Sequence, residues 1–278
     1  MVIAMAIVSV VLLSLALRAP TALAGEPGYR LLKLDGHVVK WGDRRLGVGA
    51  RVSYAFAHES MRFDGAINCG EMAPVEVLLD EGFSMDTLSQ QAAAAFQVWE
   101  GAADLAFYEV SDARNADIVI GAQGLPRGRA FANVSYLDDP LEGVRSIEQS
   151  LVCLNPRHGW KVGFDGDTEV YDIRYTLIHE IGHAIGLDHP GPTGQVMAFK
   201  YTESFQDLQA GDLRGVQRLY GPANGFVTGL ANSATEVDRV DGEEVSTARG
   251  LGIGECQPQQ AVRECESPGC GCGTAIHQ

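Results

Sequence analysis

The chain has 278 residues, of which 46% are hydrophobic and 21% are charged, so it can bury the core of one good-sized domain with extensions. Its formal net charge at pH 7 is −15, and it contains no cluster of Lys or Arg. Nucleic acid is therefore excluded as a partner, because binding to phosphates depends on clustered basic side chains. The composition indicates a globular protein that does not bind polyanions.

The N-terminus is an apolar run. Met1 to Leu17 is nearly free of charge, and Ala22-Leu23-Ala24 follows with the small-x-small form of a signal-peptidase site. We therefore expect residues 1–24 to be a signal peptide and the protein to be secreted. The alternative is a membrane anchor, because roughly 17 apolar residues is the lower limit for crossing a bilayer. Only an uncleaved segment would make the membrane a partner.

The next residues are predicted to form an N-terminal extension at 25–49, with a pair of strands, and a main domain at 50–222. An apolar stripe predicts a helix from Thr87 to Glu100. Apolar alternation and short apolar runs predict strands at Arg51–Ala57, Leu105–Val110, Asp117–Gly121, Ala130–Tyr136 and Ser150–Leu154. The domain is thus expected to contain both helices and a sheet.

The segment from His179 to His189 has the full pattern H-E-x-x-H-x-x-G-x-x-H. On a helix, His179 and His183 lie one turn apart and project from the same face, so that they can share one metal ion. Gly186 can adopt a positive φ, which ends the helix and brings His189 back as a third ligand. Three histidines leave the fourth tetrahedral position of zinc open, as in catalytic sites. We predict one catalytic zinc ion.

Glu180 is predicted to be the general base of this site. It is offset by about 100° around the helix from His179, so it can reach a water at the metal without ligating the metal itself. Asp172 is a candidate N-cap for the helix. The opposite face carries an apolar stripe that consists of Ile173, Leu177, Ile181 and Ile185. One side of the helix is therefore expected to pack into a core while the other lines a cleft.

At these residues the chain resembles the metzincin metalloproteases and, within them, the matrixins of bacterial type. Met197 stands where metzincins carry a methionine turn, and the resemblance implies that it forms an apolar floor beneath the histidines. Leu208–Gly221 resembles the matrixin C-terminal helix, in which Asp212 takes the place of a buried acidic residue near the active-site helix. The resemblance covers roughly residues 50–222. It implies an α+β fold with a mixed, twisted five-stranded sheet, two long helices and a C-terminal helix.

The resemblance also implies a function, that of a monomeric zinc-dependent endopeptidase acting on protein or peptide substrates. In the family the substrate lies extended along an edge strand, here Ala130–Tyr136, and the loop Gly191–Phe205 would wall the specificity pocket. One alternative is a non-catalytic zinc-binding interaction module on the same fold, which predicts loss of the base, whereas Glu180 is present. A second alternative is a zinc hydrolase that acts on a non-peptide substrate, because fold and metal do not determine which bond is cleaved.

Calcium is a second candidate cation, because matrixins bind structural calcium in acidic loops. Asp138–Glu142 and Asp165–Glu169 could supply ligands, but neither matches an EF-hand pattern, and we favour solvated acidic turns. A second, structural zinc site has no ligand set, since His158 is the only histidine between residues 121 and 160.

The six cysteines fall into two groups. Cys69 and Cys153 lie inside the domain, and we favour a disulfide between them in an exported chain. The Pro-Arg-Cys-Gly segment that forms the cysteine switch of matrixins is not present. Cys69-Gly70 matches only its last two residues, and we interpret Cys69 as a structural cysteine. The other four are Cys256, Cys265, Cys270 and Cys272. They lie in a predicted flexible linker and tail, residues 223–278, and their connectivity stays open.

Overall fold

The computed structural model describes residues 28–137 and 143–223. The predicted signal peptide, the acidic segment 138–142 and the four tail cysteines lie outside the described residues. The helices are α1 (Met85–Ala102), α2 (Ile173–Ala184) and α3 (Ala210–Tyr220), with a short 3₁₀ helix at Val75–Leu78. The strands are β1 (Arg30–Leu31), β2 (Lys33–Leu34), β3 (His37–Lys40), β4 (Ala50–Phe56), β5 (Met61–Arg62), β6 (Glu71–Ala73), β7 (Leu105–Glu109), β8 (Ile118–Gln123), β9 (Ala130–Tyr136), β10 (Arg145–Leu154), β11 (Trp160–Lys161), β12 (Tyr171–Asp172) and β13 (Leu187–Asp188). Within these ranges, no helix has the length and apolar character needed to cross a membrane.

The centre of the fold is a mixed sheet in the order β7-β4-β8-β10-β9. The first four strands are parallel, and β9 runs antiparallel to β10. In the described part of the chain β9 has no strand on its outer side, so its free edge faces away from the sheet. The predicted α+β fold is confirmed, with a mixed sheet and three helices. Strand β9 has the predicted limits, whereas β10 begins at Arg145, ahead of the predicted Ser150.

The sheet buries side chains on both faces. Along β10, Val152 and Leu154 join the larger core, while Leu151 and Cys153 join a smaller core on the opposite face. The smaller core is covered by residues 57–73, which carry β5 and β6. A disulfide between Cys69 and Cys153 fastens this segment to β10, with 5.9 Å between the Cα atoms. Because Cys69 is paired and buried, it offers no free thiolate for a cysteine switch.

Residues 28–49, which we call the N-terminal arm, pack into the larger core. Strands β2 and β3 form an antiparallel pair, as predicted for this region, and β3 pairs in parallel with the start of β10. Strand β1 pairs antiparallel with β13, which leads to His189. Val39 and Trp41 are buried among residues of the main domain. The larger core therefore includes residues on both sides of position 50, the predicted start of the main domain.

Candidate metal centre

Helix α2 begins and ends by the means that the sequence indicated. At its N-terminus, Oδ1 of Asp172 accepts a hydrogen bond from the Tyr175 N–H at 2.7 Å. The helix ends at Ala184, and Gly186 turns the chain with a φ of 100°. A Cβ at Gly186 would also overlap the main-chain carbonyl of Val39 in the arm. Glycine is thus required here by both the backbone conformation and the close approach.

The three predicted ligands converge. The Nε2 atoms of His179 and His183 lie 3.2 Å apart, and each lies 3.1 or 3.0 Å from Nε2 of His189. Within the described ranges, these three histidines form the one cluster of ligating side chains that is close enough to hold a metal ion. The turn at Gly186 therefore delivers His189 to the helix face that carries the other two.

Hydrogen bonds at the far side of two rings set which nitrogen is free. Nδ1 of His179 donates to the Val196 carbonyl at 2.7 Å, and Nδ1 of His183 donates to the Leu187 carbonyl at 2.8 Å. Because a carbonyl can only accept, the proton of each neutral ring is on Nδ1 and the lone pair is on Nε2. These two Nε2 lone pairs face each other with no hydrogen between them. Such an arrangement repels unless a cation lies among the rings.

Zinc fits this set of donors. In a tetrahedral site with Zn–N bonds of about 2.0–2.1 Å, the ligand nitrogens lie about 3.3 Å apart. The observed separations of 3.0 to 3.2 Å are close to that value. Burial is the main cause that lowers the pKa of His183 to about 3, and it also lowers the pKa values of His179 and His189. All three rings are therefore neutral at physiological pH, the state that binds metal.

Asp212 and the methionine turn support His179 from below. The Asp212 carboxylate accepts hydrogen bonds from the main-chain N–H groups of Val196 and Met197, at 3.0 and 3.1 Å. The carbonyl of Val196 in turn accepts from His179. Burial raises the pKa of Asp212, and these hydrogen bonds oppose that rise. Asp212 thus fixes the peptide groups that orient His179, the first candidate ligand.

Met197 lies directly against α2, and a residue not singled out in the sequence allows it. A Cβ at Gly182 would overlap the Met197 sulfur and approach the Trp99 ring. Gly182 lies between His179 and His183, where a glycine inside a helix costs about 1 kcal/mol relative to alanine. An interior helical glycine is a signal for close packing that could have identified this position.

Glu180 has one oxygen without a partner. Its side chain is buried, and among the described residues Oε1 makes no hydrogen bond. Burial raises the pKa of Glu180 to about 7, and the positive charge of Arg129 acts in the opposite direction. A buried carboxylate oxygen with no protein partner is available to a water or a substrate group.

The end of α2 is held by residues that the sequence analysis missed. The Ala184 carbonyl accepts from the Trp41 indole N–H at 2.9 Å and from the Ser150 hydroxyl at 3.0 Å. The Tyr220 hydroxyl donates to the Ile185 carbonyl at 2.7 Å. These donors lie in the arm, β10 and α3, so no local sequence pattern predicts their contacts with α2. Together they satisfy carbonyls that a helix end leaves open.

Two other predicted features have different outcomes. The His158 ring contacts the Gly128 carbonyl at 2.9 Å and does not belong to the histidine triad. In the segment Asp165–Glu169, the Asp165 carboxylate binds the Lys161 ammonium. The segment Asp138–Glu142 lies outside the described residues.

Comparison with known proteins agrees with this fold and site. A family model described as Matrixin, of the M10 peptidases, matches residues 78–221, just over half of the chain. The chain therefore belongs to the matrixin family.

Several curated proteins are similar to it. Metalloendoproteinase 4-MMP of Arabidopsis thaliana is 29% identical over 164 residues, which cover 54% of this chain and 45% of that protein. Interstitial collagenase of Equus caballus is 28% identical over 174 residues, covering 59% and 35%. Human matrix metalloproteinase-15 is 32% identical over 152 residues, covering 47% and 21%. The chain thus spans less than half of the length of these relatives.

Proposed function

We propose that this protein is a zinc-dependent endopeptidase. The observation that carries the proposal is the convergence of three neutral histidines beside a buried carboxylate oxygen that has no protein partner. Zinc would be held by His179, His183 and His189, and when bound it lowers the pKa of a coordinated water toward about 7 and stabilises negative charge on a carbonyl oxygen. The named relatives with metalloendoproteinase activity support the same assignment.

Glu180 would act as the general base. Its unpartnered Oε1 takes the proton of the attacking water and then passes it to the amine that leaves. The burial of Glu180 keeps bulk water away from this transfer. Met197 and Asp212 do not touch the substrate in this proposal, because they act through the position of His179.

The free edge of β9 would bind the substrate backbone. Strand β9 packs against the face of α2, pairs with β10 on one side and, within the described residues, has no strand on the other. An extended peptide added there would form main-chain hydrogen bonds, which are independent of its sequence. The loop from Gly191 to Phe205 would wall the pocket for one side chain, and its Tyr201 ring packs at 5.2 Å from the Tyr175 ring of α2.

Arg129, which precedes β9, gives the cleft a positive charge. Its guanidinium carbon lies 5.5 Å from the ring centre of Tyr171 and 5.4 Å from that of Tyr201, and its Nε atom is buried without a hydrogen bond. In the ranges that the structure covers, no carboxylate pairs with it. We infer that Arg129 favours substrates with an acidic side chain beside the scissile bond. In a peptide library, Arg129→Gln should lower kcat/KM for acidic sequences by about tenfold and leave neutral ones unchanged.

Hydrolysis of casein with and without a chelator tests the proposed function. We expect cleavage that the chelator abolishes and added zinc restores. The alternative function, a non-catalytic zinc-binding module on the same fold, predicts zinc binding without cleavage. Failure of the zinc-loaded protein to cleave casein or any member of a peptide library would therefore favour the module.

Export and the limits of the domain also remain proposals. The apolar residues 1–24 and the Cys69–Cys153 disulfide both favour an oxidising compartment outside the cytosol. At the other end, α3 ends at Tyr220, and the Asp104 N–H donates to the Gly221 carbonyl at 3.1 Å. We propose that the working domain ends near Pro222, so that a protein truncated there keeps its melting temperature and its turnover.

A further inference from the structure

A lysine lies where the sequence offered a candidate calcium site. The loop from Lys161 to Asp172 carries the acidic segment Asp165–Glu169 and leads directly into α2. The Lys161 ammonium binds a carboxylate oxygen of Asp165, the carbonyl of Asp167 at 2.6 Å and Oε1 of Glu203 at 2.7 Å. An ammonium has three N–H donors. These three oxygens therefore use its full capacity.

Glu203 connects this lysine to a second loop, the one that follows the methionine turn. Its Oε2 accepts from the main-chain N–H groups of Asp165 at 3.0 Å and Gly166 at 2.6 Å. The Lys161 and Glu203 side chains are only 13% and 8% exposed, so the ion pair is largely shielded from water. The pair thus joins the loop before α2 to the loop that walls the cleft.

The network continues to the start of the active-site helix. The Tyr201 hydroxyl donates to Oε1 of Glu203 at 2.9 Å and accepts from the Asp172 N–H at 2.9 Å. Asp172 caps α2 through Tyr175 and also accepts from the Gly163 N–H at 2.6 Å. A displacement of Lys161 would therefore alter the contacts of Asp172, the N-cap of the helix that carries His179 and His183.

Calcium does not fit these oxygens as they stand. It requires about six to eight oxygen ligands at about 2.3–2.6 Å. The carboxylates of Asp165 and Glu203 are already bound to the ammonium and to N–H groups. In the described part of the chain, the acidic side chains of this loop form no converging set of three. A divalent cation would have to displace Lys161.

We infer that Lys161 is an internal cation that replaces calcium in this loop. Its charge holds Asp165, the Asp167 carbonyl and Glu203 together, and it does so without an ion from solution. The inference concerns the stability of the loop and goes beyond the proposed peptidase function. It can hold or fail whether or not the protein cleaves peptides.

Melting temperatures in the presence and absence of calcium test the inference, with zinc content measured in every sample. Lys161→Met removes the charge at similar length and leaves the carboxylates of Asp165 and Glu203 without their counter-ion, so the melting temperature should fall by about 5 °C. Calcium at 5 mM should then raise the melting temperature of K161M by about 3 °C more than that of the wild type. Lys200→Met, at an exposed lysine of the neighbouring loop, is the matched control and should behave as the wild type.

A calcium response of folded K161M no larger than that of the wild type would overturn the inference. If K161M does not fold, the wild type decides in comparison with Asp165→Asn. A calcium-dependent rise in melting temperature that D165N abolishes would show that the loop binds calcium and would overturn the inference. An equal response of the wild type and D165N supports it. None of these readouts depends on peptidase activity, so failure of the proposed function is recognised separately.

Discussion

Two regions meet at the end of α2 and hold the histidines in different ways. The motif segment, residues 172–197, supplies all three candidate ligands through the spacing of one helix and one turn. The N-terminal arm supplies none, but its Trp41 indole binds the Ala184 carbonyl and its Leu32 N–H binds the Gly186 carbonyl, at 2.9 and 2.8 Å. The chemistry therefore comes from local spacing, whereas the place of the turn that carries His189 depends on contacts between distant parts of the chain.

The arm contacts the end of α2 and the turn after it through both an exposed ion pair and buried groups, which differ in their effect on stability. Arg30 forms an ion pair with Asp188 at 2.8 Å, but the Arg30 side chain is 67% exposed. Exposed ion pairs contribute about 0–1 kcal/mol to stability. Trp41, by contrast, is buried, and its main-chain N–H donates to the Tyr220 hydroxyl at 2.9 Å. We expect the buried contacts of the arm, and not its surface charge, to fix the end of α2.

The largest expected effect comes from the motif segment. Glu180→Ala should lower kcat/KM on a peptide substrate by about 100-fold or more, because the proposed general base is lost. Zinc content and melting temperature should stay near those of the wild type, since Glu180 makes no ligand or cap contact. Metal analysis of the same preparation provides the control. Near-normal turnover of a zinc-loaded E180A protein would remove Glu180 from the mechanism.

The next effect comes from the arm. Trp41→Ala removes a buried aromatic ring together with its hydrogen bond to Ala184, so the free energy of unfolding should fall by about 3–5 kcal/mol. Zinc binding should weaken by about tenfold, because the turn before His189 loses a support. Urea denaturation and a competitive zinc titration measure the two quantities. Tyr108→Ala, at a ring that is 45% exposed, is the control and should change stability by less than about 0.5 kcal/mol.

An unchanged zinc affinity in folded W41A would show that the arm stabilises the domain without positioning His189. The motif segment would then suffice to place all three candidate ligands without the arm. The fall in stability would still be expected, since it follows from burial alone.

These two regions also show what the sequence could and could not predict. The sequence shows the metal-site pattern because all of its residues lie within one helix and the turn that follows it. These residues are His179, Glu180, His183, Gly186 and His189. The role of Trp41 was not visible, because its partners Ala184 and Tyr220 lie far along the chain. For the same reason the arm was expected to be an extension, although its apolar alternation did indicate the strand pair β2–β3.

The pairing of charges in the loop before α2 could not be predicted from the sequence either. The acidic residues from Asp165 to Glu169 suggested a calcium loop or a solvated turn, since their charges are evident from sequence. The answer depends on Lys161 and Glu203, and only the fold brings these two side chains within 2.7 Å. Opposite charges distant in sequence carry no signal of their pairing, so composition alone cannot distinguish an ammonium from a metal ion.

The smallest expected effect concerns a buried charge in the arm. Lys40 on β3 is fully buried, and its ammonium donates to the main-chain carbonyls of Trp41, at 2.8 Å, and Asp43. It also lies 4.8 Å from the ring centre of Tyr220. Burial lowers the pKa of Lys40 from 10.5 to about 8, and the Asp43 charge opposes this only in part. The charge is therefore held at a cost in stability that depends on pH.

The direction in which stability changes with pH follows from the protons that the folded and unfolded states bind. Between pH 8 and 10.5 the unfolded chain keeps the Lys40 proton, while the folded protein has released it. The free energy of unfolding should therefore rise with pH in this range, by about 2 kcal/mol between pH 7 and 9.5 from this group. Lys40→Met should lack that contribution, so its stability relative to the wild type should be greater at pH 7 than at pH 9.5. Urea denaturation at both pH values measures the difference, with Lys33→Met, at an exposed lysine of β2, as the control. If the gap between K40M and the wild type is the same at both pH values, Lys40 keeps its proton in the folded protein, and the carbonyls of the arm stabilise its charge more than its burial destabilises it.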